Sequence, residues 1–389
     1  MKRSVQKTVR KAAAALCAAA FFLGAVRASR AAQLEPPPQV SAKSAALLDG
    51  TTGECLCEKN GDQRALIAST TKIMTGLLVC EAGDLDRTVT VPETAAGTEG
   101  SSMYLKSGET LTRRELLYGM MLASGNDAAT ALACHTAGSI EAFAQLMNDK
   151  AAELGLENTA FRNPHGLDAD GHHSTAHDLA VLACYAMQNE QFRTIVSTNS
   201  ITIGTQTYTN HNRLLRTYPG ALGVKTGYTE AAGRILVSCA QRDNTQFVCV
   251  TISDPNDWDD HTRLLDWAFD EYEYREVVSA ETAYALPVLS GADELCTIRP
   301  ESEVSLFLKK DTPVDMQVSL PRYVFAPVVR GAAVGSLTIT PADGGAVEVP
   351  LVYGSDVPLD LGVRLTPRER FGRAWGLAGH YLFAYYPKN

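Results

Sequence analysis

Residues 65–80 read Ala65-Leu66-Ile67-Ala68-Ser69-Thr70-Thr71-Lys72-Ile73-Met74-Thr75-Gly76-Leu77-Leu78-Val79-Cys80, and the rest of the chain can be interpreted around them. Apolar residues recur at helical spacing from Ile73 to Cys80, which predicts a helix that Ser69 opens and that contains Lys72. Residues three apart on a helix project from one face, so the Ser69 hydroxyl and the Lys72 amine should lie side by side. Such a pair is a nucleophile beside a base, provided that burial or a second cation lowers the pKa of the amine.

A Ser-x-x-Lys spacing is weak evidence by itself, because a helix cap followed by a surface lysine also produces it. Two later stretches strengthen it. The first is Ser124-Gly125-Asn126, which interrupts two predicted helices, and the second is Lys225-Thr226-Gly227, which lies in a strand-like run. Ser-x-x-Lys, Ser-x-Asn and Lys-Thr-Gly together form the signature of penicillin-binding proteins and class A β-lactamases.

The composition is that of a globular protein with room for two domains. The chain has 389 residues, of which 45% are hydrophobic and 20% are charged. These values allow a sizeable hydrophobic core. The formal net charge is −9, and an acidic surface argues against nucleic acid as a partner.

The N-terminus has the pattern of a secretory signal. Basic residues precede an apolar run from Ala12 to Val26, which is shorter than the ~20 residues of a membrane span. Small-x-small patterns place cleavage after Ala28 or after Ala31, so we expect residues 1–28 to be removed, with 31 as the alternative end. We therefore expect the protein to be exported and to act at the extracytoplasmic face of the bacterial membrane or in the cell wall; a retained anchor is the alternative.

The cysteines and histidines are the residues of the chain that could bind a transition metal. Of the eight cysteines beyond the signal, five lie in apolar periodic runs, where a free cysteine behaves as a small hydrophobe. Cys55-Leu56-Cys57 does not follow zinc-site spacing and has no matching second pair. Four histidines fall close together in the sequence, but no Glu follows a His as in the zinc-protease helix; they are His165, His172, His173 and His177. We predict mostly free thiols and no metal, with the histidines serving in capping and loop packing.

The order of the predicted elements divides the chain into five parts. Residues 1–28 are the signal, and residues 29–43 are a linker. Residues 44–275 have helices in the middle and strands at both ends, which implies an α/β (α+β) fold with a sheet covered by helices. Residues 276–362 alternate in hydrophobicity between turn residues and predict a small, non-catalytic β-sandwich.

The fifth part, residues 363–389, is predicted to be an amphipathic helix. Thr366-Pro367-Arg368-Glu369 is typical of a helix start. One face of the helix would carry apolar and aromatic residues, namely Phe371, Trp375, Ala378, Leu382, Tyr385 and Tyr386. We expect residues 366–389 to lie on the membrane surface without crossing it. Docking of the aromatic face on the sandwich is the alternative.

From about Ala45 to Phe269 the chain resembles the D-alanyl-D-alanine carboxypeptidases, which are low-molecular-mass penicillin-binding proteins of the serine type. Besides the three motifs, the resemblance includes the ranges 100–105, 123–129, 163–167, 174–176 and 231–233. Class A β-lactamases are less similar, because the Glu-x-x-x-Asn loop that supplies their deacylating glutamate was not found. Arg234 departs from the family, which more often has an aromatic residue there.

The resemblance implies that Ser69 attacks the carbonyl between the two terminal D-alanines of a peptidoglycan stem peptide, while Lys72 takes its proton. Penicillin and other β-lactams would acylate the same serine. By the same resemblance, the backbone N–H groups of Ser69 and Tyr228 would form the oxyanion hole. Lys225, Thr226 and Gly227 would bind the terminal carboxylate. Ser124 and Asn126 would relay the proton and position the peptide. No cofactor is implied. Transpeptidase, endopeptidase and β-lactamase activity, and a non-catalytic peptidoglycan-binding protein, remain as alternatives.

Overall fold

The computed structural model describes residues 36–360 and the single residues Arg368, Phe371 and Trp375. The expected signal of residues 1–28 and most of the expected C-terminal helix lie outside the described residues. Arg368, Phe371 and Trp375 are helical and exposed. Within the described part of the chain, no helix is both long and apolar enough to cross a membrane.

The first two-thirds of the described chain alternate between strands and helices. In chain order the strands are β1 (Ser44–Asp49), β2 (Cys55–Lys59), β3 (Thr88–Thr90), β4 (Thr110–Thr112), β5 (Ser200–Ile203), β6 (Gln206–Thr209), β7 (Ala221–Thr229), β8 (Gly233–Arg242) and β9 (Thr245–Ile252). The helices are a 3-10 turn (Ala68–Thr71), α1 (Lys72–Glu81), α2 (Arg113–Leu122), α3 (Asn126–Ala137), α4 (Ile140–Glu153), α5 (Ala176–Gln188), α6 (Glu190–Val196), α7 (Leu214–Thr217) and α8 (Asp257–Glu271).

A five-stranded antiparallel sheet lies between two layers of helices. Its strand order is β2-β1-β9-β8-β7. Successive residues of a strand point to opposite faces: Leu48 and Val248 join the core shared with α1 to α6. Leu47 and Phe247 join the core shared with α7 and α8. The prediction of a sheet covered by helices is confirmed.

Two helix boundaries place the motif residues. A capping box starts one of these helices, because the Thr112 hydroxyl accepts from the Glu115 N–H and the Glu115 carboxylate accepts from the Thr112 N–H. The helix that it starts, α2, ends at Leu122, and α3 begins at Asn126. Ser124 lies between them with φ +63°, a left-handed conformation that a helix interior does not allow.

The C-terminal part is all β, as expected. Its strands are β10 (Tyr272–Val278), β11 (Tyr284–Leu289), β12 (Leu295–Pro300), β13 (Val304–Lys309), β14 (Val314–Ser319), β15 (Val324–Phe325), β16 (Ala333–Pro341) and β17 (Val347–Tyr353). A six-stranded sheet has the order β14-β16-β17-β12-β11-β15, and β10 pairs with β13 in a two-stranded ribbon. Both contribute to one apolar core. The expected domain boundary at 275/276 falls inside β10.

The eight cysteines that the structure describes are free thiols. Five of them are buried, namely Cys80, Cys184, Cys239, Cys249 and Cys296. Burial raises the pKa of the Cys80 and Cys184 thiols to about 12. Neutral thiols in these positions pack as small apolar groups, as predicted.

Candidate active site

Ser69 and Lys72 lie at the point where the 3-10 turn becomes α1. Ser69 is the second residue of the 3-10 turn and Lys72 is the first residue of α1, so the regular helix begins three residues later than predicted. The residue before Ser69, the buried Ala68, has φ +44°, which is unfavourable for a residue with a Cβ. The tight turn brings the two side chains together, with Lys72 Nζ 2.9 Å from Ser69 Oγ.

The Lys72 amine is fully buried and makes two further contacts. It donates to Asn126 Oδ1 at 2.6 Å and to the backbone carbonyl oxygen of His165 at 2.7 Å. The Asn126 amide is held in this orientation by its nitrogen, which donates to the carbonyl oxygen of Glu99 at 2.5 Å. The amine is therefore surrounded by two carbonyl acceptors and one hydroxyl.

Burial and a second lysine act together on the protonation of Lys72. Desolvation lowers its pKa well below the usual value, the positive charge of Lys225 lowers it further, and Asp127 acts in the opposite direction. Lys225 is itself buried, and desolvation lowers its pKa to about 7. The pKa values of both amines are therefore lower than that of an exposed lysine.

The buried carboxylate of Asp127 fixes the loop of residues 101–105. Asp127 accepts from the Ser102 hydroxyl at 2.6 Å and from the N–H groups of Met103 and Leu105 at 2.9 and 3.0 Å. The backbone N–H of Asn126 donates to the carbonyl oxygen of Ser101 at 2.7 Å. These bonds join the 101–105 loop to the start of α3 and so hold Asn126 in place.

The Lys225-Thr226-Gly227 segment is part of β7, at the edge of the sheet beside the 3-10 turn. A Cβ at Gly227 would lie 3.2 Å from the carbonyl oxygen of Ile67 and 3.3 Å from the Ser69 nitrogen. Only a glycine therefore lets the strand approach the turn this closely without displacement. Tyr228 follows with a side chain that is 65% exposed.

The turn at 163–167 supplies the carbonyl that contacts Lys72. The Asn163 side chain accepts from the Gly166 N–H at 2.7 Å and donates to the Leu167 carbonyl oxygen at 2.9 Å. Gly166 has φ +89°, and a Cβ there would collide with the carbonyl oxygen of Ala68. The turn can approach the residue before Ser69 because this position is a glycine.

A cavity of about 510 Å³ lies over these residues. Its lining is Ser69, Ser101, Ser124, His211, Thr226, Gly227, Tyr228, Arg234, Ile235, Asp257 and Trp258. The structure thus brings together the serines and the β7 residues that the sequence singled out, with Lys72, Asn126 and Lys225 buried beside them.

Sequence reasoning did not find His211, Asp257 or Trp258. His211 lies between two buried asparagines, Asn210 and Asn212, and its backbone N–H donates to the carbonyl oxygen of Leu122 at 3.2 Å. The run of three polar residues Asn210-His211-Asn212 directly after β6 is the sequence signal that could have indicated it. Burial and the charge of Lys225 lower the pKa of His211, so the ring is favoured as neutral.

Arg234, the departure from the family pattern, forms one wall of the cavity. Its guanidinium donates to both carboxylate oxygens of Asp257, at 3.1 and 2.6 Å. It also lies over the Trp258 ring, 5.9 Å from its centroid, a cation–π geometry. The bidentate pair and the ring hold the side chain in one orientation.

The four clustered histidines have separate surroundings. His172 Nδ1 accepts from the Arg162 N–H at 3.0 Å, so Nε2 carries the proton toward Thr71 Oγ1 at 2.8 Å. The ring of His165 accepts from the Leu167 N–H at 3.2 Å, and His173 lies 3.1 Å from the Gly171 carbonyl oxygen. Burial lowers the pKa of His165 and of His172 to about 4. These three rings take part in loop packing, whereas His177 contacts Glu58.

Comparison with known sequences identifies the family. The family model described as D-alanyl-D-alanine carboxypeptidase matches residues 30–256, more than half of the chain. The D-alanyl-D-alanine carboxypeptidase DacF of Bacillus subtilis is 35% identical over 333 residues, which cover 81% of this chain and 86% of that relative.

Two solved structures agree with this assignment. Penicillin binding protein 5 from Haemophilus influenzae matches with a TM-score of 0.65 and 28% identity, over 83% of this chain and 99% of that one. A mutant of the Streptomyces K15 DD-transpeptidase matches with a TM-score of 0.57 and 33% identity, over 60% of this chain and 99% of that one. The fold, the site and the sequence agree: the chain belongs to the D-alanyl-D-alanine carboxypeptidase family of serine peptidases.

Proposed function

We propose that the protein removes the terminal D-alanine from peptidoglycan stem pentapeptides, with Ser69 as the nucleophile and Lys72 as its base. The Ser69 oxygen attacks the carbonyl carbon between the two D-alanines, and its proton passes to the Lys72 amine. The peptide bond then breaks, D-alanine leaves, and the remaining peptide is bound to Ser69 as an ester. Water hydrolyses this ester and regenerates the free serine.

The contacts of the Lys72 amine carry the proposal. A neutral amine has two N–H groups and one lone pair, whereas an ammonium has three N–H groups and none. Asn126 Oδ1 and the His165 carbonyl oxygen are acceptors and take the two N–H groups. The lone pair of a neutral Lys72 is then directed to Ser69 Oγ, 2.9 Å away, and can accept its proton.

The residues of β7 suit the free carboxylate of the substrate. Lys225 can provide a positive charge and Thr226 a hydroxyl, and Thr226 lines the cavity. An incoming carboxylate favours the charged form of Lys225 and so opposes the lowering of its pKa by burial. The N–H groups of Ser69 and Tyr228 would bind the oxyanion, since Gly227 keeps β7 against the 3-10 turn.

The break between α2 and α3 supplies the remaining groups. Ser124 lines the cavity, and its hydroxyl would return the proton to the leaving D-alanine nitrogen. Asn126 both orients Lys72 and would position the peptide amide. The same groups, used in the reverse order, would activate the water that hydrolyses the ester.

Product analysis on a synthetic stem pentapeptide tests this function. We expect equal amounts of free D-alanine and tetrapeptide, detected by liquid chromatography and mass spectrometry. A Ser124→Ala protein should keep its fold and lose most of the turnover. Pentapeptide that stays intact with the folded wild-type protein would contradict the proposal.

Transpeptidation is a second candidate, because the chain is similar to a DD-transpeptidase over 60% of its length. Its ester would be attacked by the amine of a second stem peptide instead of water. Adding an acceptor peptide to the same assay separates the two reactions, since a transpeptidase forms a cross-linked product at the expense of tetrapeptide.

We further propose that residues 1–28 direct export and that residues 366–389 hold the protein on the membrane surface. Phe371 and Trp375 support the second point, because they are 68% and 73% exposed and their rings stack 6.1 Å apart. Residues four apart share one helix face, here an aromatic one. The mature protein should float with anionic liposomes, and a protein without residues 366–389 should not. Failure of both to float would refute the membrane contact.

A further inference from the structure

An irregularity in β2 changes which face of the sheet Cys55 occupies. Glu58 pairs with Ala46 and Cys57 with Leu47, but the next partner, Leu48, pairs with Cys55, so Leu56 is an extra residue. Cross-strand partners lie on the same face, and faces alternate along a strand. Because of this β-bulge, Cys55 lies on the same face as Glu58, and Cys57 lies on the opposite one.

The face shared by Cys55 and Glu58 is the one that α5 covers, and His177 is the second residue of that helix. His177 Nδ1 lies 3.5 Å from Glu58 Oε2, and Cys55 Sγ lies 3.9 Å from the same oxygen. One ligand atom from each of the three residues lies within 4.8 Å of the others. Among the residues 36–360, this is the one group of three or more His, Cys, Asp or Glu side chains that could surround a metal ion.

We propose that Cys55, Glu58 and His177 bind a divalent transition metal ion, with zinc as the best fit. Tetrahedral zinc with bonds of about 2.3 Å to sulfur and about 2.0–2.1 Å to nitrogen and oxygen separates nitrogen from oxygen by about 3.4 Å and sulfur from oxygen by about 3.6 Å. The separations of 3.5 and 3.9 Å therefore need shifts of a few tenths of an ångström at most. A thiolate, an imidazole and a carboxylate together suit zinc better than magnesium or calcium.

The backbone around the group fixes the two elements that carry it. The backbone N–H of His177 donates to the carbonyl oxygen of Gly61 at 3.1 Å, which joins the start of α5 to the turn after β2. A Cβ at position 61 would collide with the Glu58 carboxylate, so glycine leaves room for that side chain. The fourth zinc position faces solvent, since Cys55 and Glu58 are exposed, and water would fill it.

The surrounding charges favour a cation at this position. Three carboxylates, those of Glu54, Glu58 and Asp62, place negative charge around Cys55. These negative charges attract a divalent ion. Binding would release the thiol proton to solvent and leave a zinc-bound thiolate that links β2 to α5.

A cobalt titration of the reduced, purified protein tests the site, because cobalt occupies zinc sites and reports a thiolate ligand by its near-ultraviolet charge-transfer absorption. We expect one Co²⁺ per chain with such a band, and loss of the band when Zn²⁺ is added. Cys55→Ser should remove the band. His177→Ala should weaken binding by at least ~100-fold, the upper end of the effect of losing a supporting hydrogen bond.

Cys57→Ser is the matched control, because it removes a thiol two residues away on the opposite face of the sheet. Zn²⁺ should raise the unfolding temperature of the wild-type and Cys57→Ser proteins and leave that of Cys55→Ser unchanged. A wild-type protein without the charge-transfer band, a band that persists in Cys55→Ser, or one lost equally in Cys57→Ser would each overturn the proposal. These readouts do not depend on peptidase activity.

Discussion

Replacing Lys225 with methionine should stabilise the protein while removing a group that we assign to substrate binding. Lys225 is 2% exposed, and burial lowers its pKa from 10.5 to about 7. Between these two values the unfolded chain binds more protons than the folded one, so the stability of the wild-type protein rises with pH. The destabilisation by the buried amine is complete below pH 7 and disappears above pH 10.5.

The two pKa values set the size of the effect. One pKa unit corresponds to about 1.4 kcal/mol, so Lys225→Met should raise the free energy of unfolding by up to about 5 kcal/mol at pH 6 and by about 1–2 kcal/mol at pH 9.5. Any change in packing is the same at both pH values. The difference of about 3–4 kcal/mol between them therefore isolates the buried charge.

Urea unfolding followed by tryptophan fluorescence at pH 6 and at pH 9.5 measures this difference. Lys106→Met, at an exposed lysine, is the control and should change the free energy of unfolding little and equally at both pH values. An equal gain from Lys225→Met at the two pH values, or a loss at pH 6, would show that the buried amine is not destabilising. Penicillin acylation of Lys225→Met should be strongly reduced.

Two further substitutions test other parts of the site. Lys72→Arg retains a charge that cannot be lost, so turnover of pentapeptide should fall at least ~100-fold; near-normal turnover in the folded variant would mean that another residue is the base. Gly166→Ala should slow penicillin acylation and lower the unfolding temperature, because its Cβ would collide with the Ala68 carbonyl oxygen. Gly155→Ala is its control, since φ is +71° and its Cβ meets no atom within 4 Å: it should cost about 1–2 kcal/mol and leave acylation unchanged. Equal acylation by the two glycine variants would refute the role given to the 163–167 turn.

Local patterns in the sequence predict most of the fold. The apolar runs of β8 and β9 and the Thr-x-x-Glu pattern at Thr112 are short-range signals, and strands and a capped helix form at these positions. The break at Ser124 is also readable, because glycine and asparagine follow the serine. The regular helix α1 begins later than the sequence predicts, because a 3-10 turn precedes it. This turn packs against β7 and the 163–167 turn, which are distant in the sequence.

The surroundings of the motif residues could not be predicted in the same way. The Lys72 amine contacts Asn126 and His165, which are 54 and 93 residues away in the sequence. Hydrophobic periodicity indicates local structure and does not predict contacts between residues so far apart. The Arg234–Asp257 pair likewise depends on how α8 packs on the sheet. The face that Cys55 occupies could not be predicted either, because one extra residue in a bulged strand reverses the face of the cysteine before it.

Covalent labelling by penicillin tests the central claim, that Ser69 is the nucleophile. Penicillin resembles the D-alanyl-D-alanine end of the substrate, and its opened ring should remain attached to the serine that attacks it. Intact mass spectrometry of the wild-type protein should show one added penicillin, and peptide mapping should place it on Ser69. The Ser69→Ala protein should gain no mass; the same adduct on the folded variant would contradict the account.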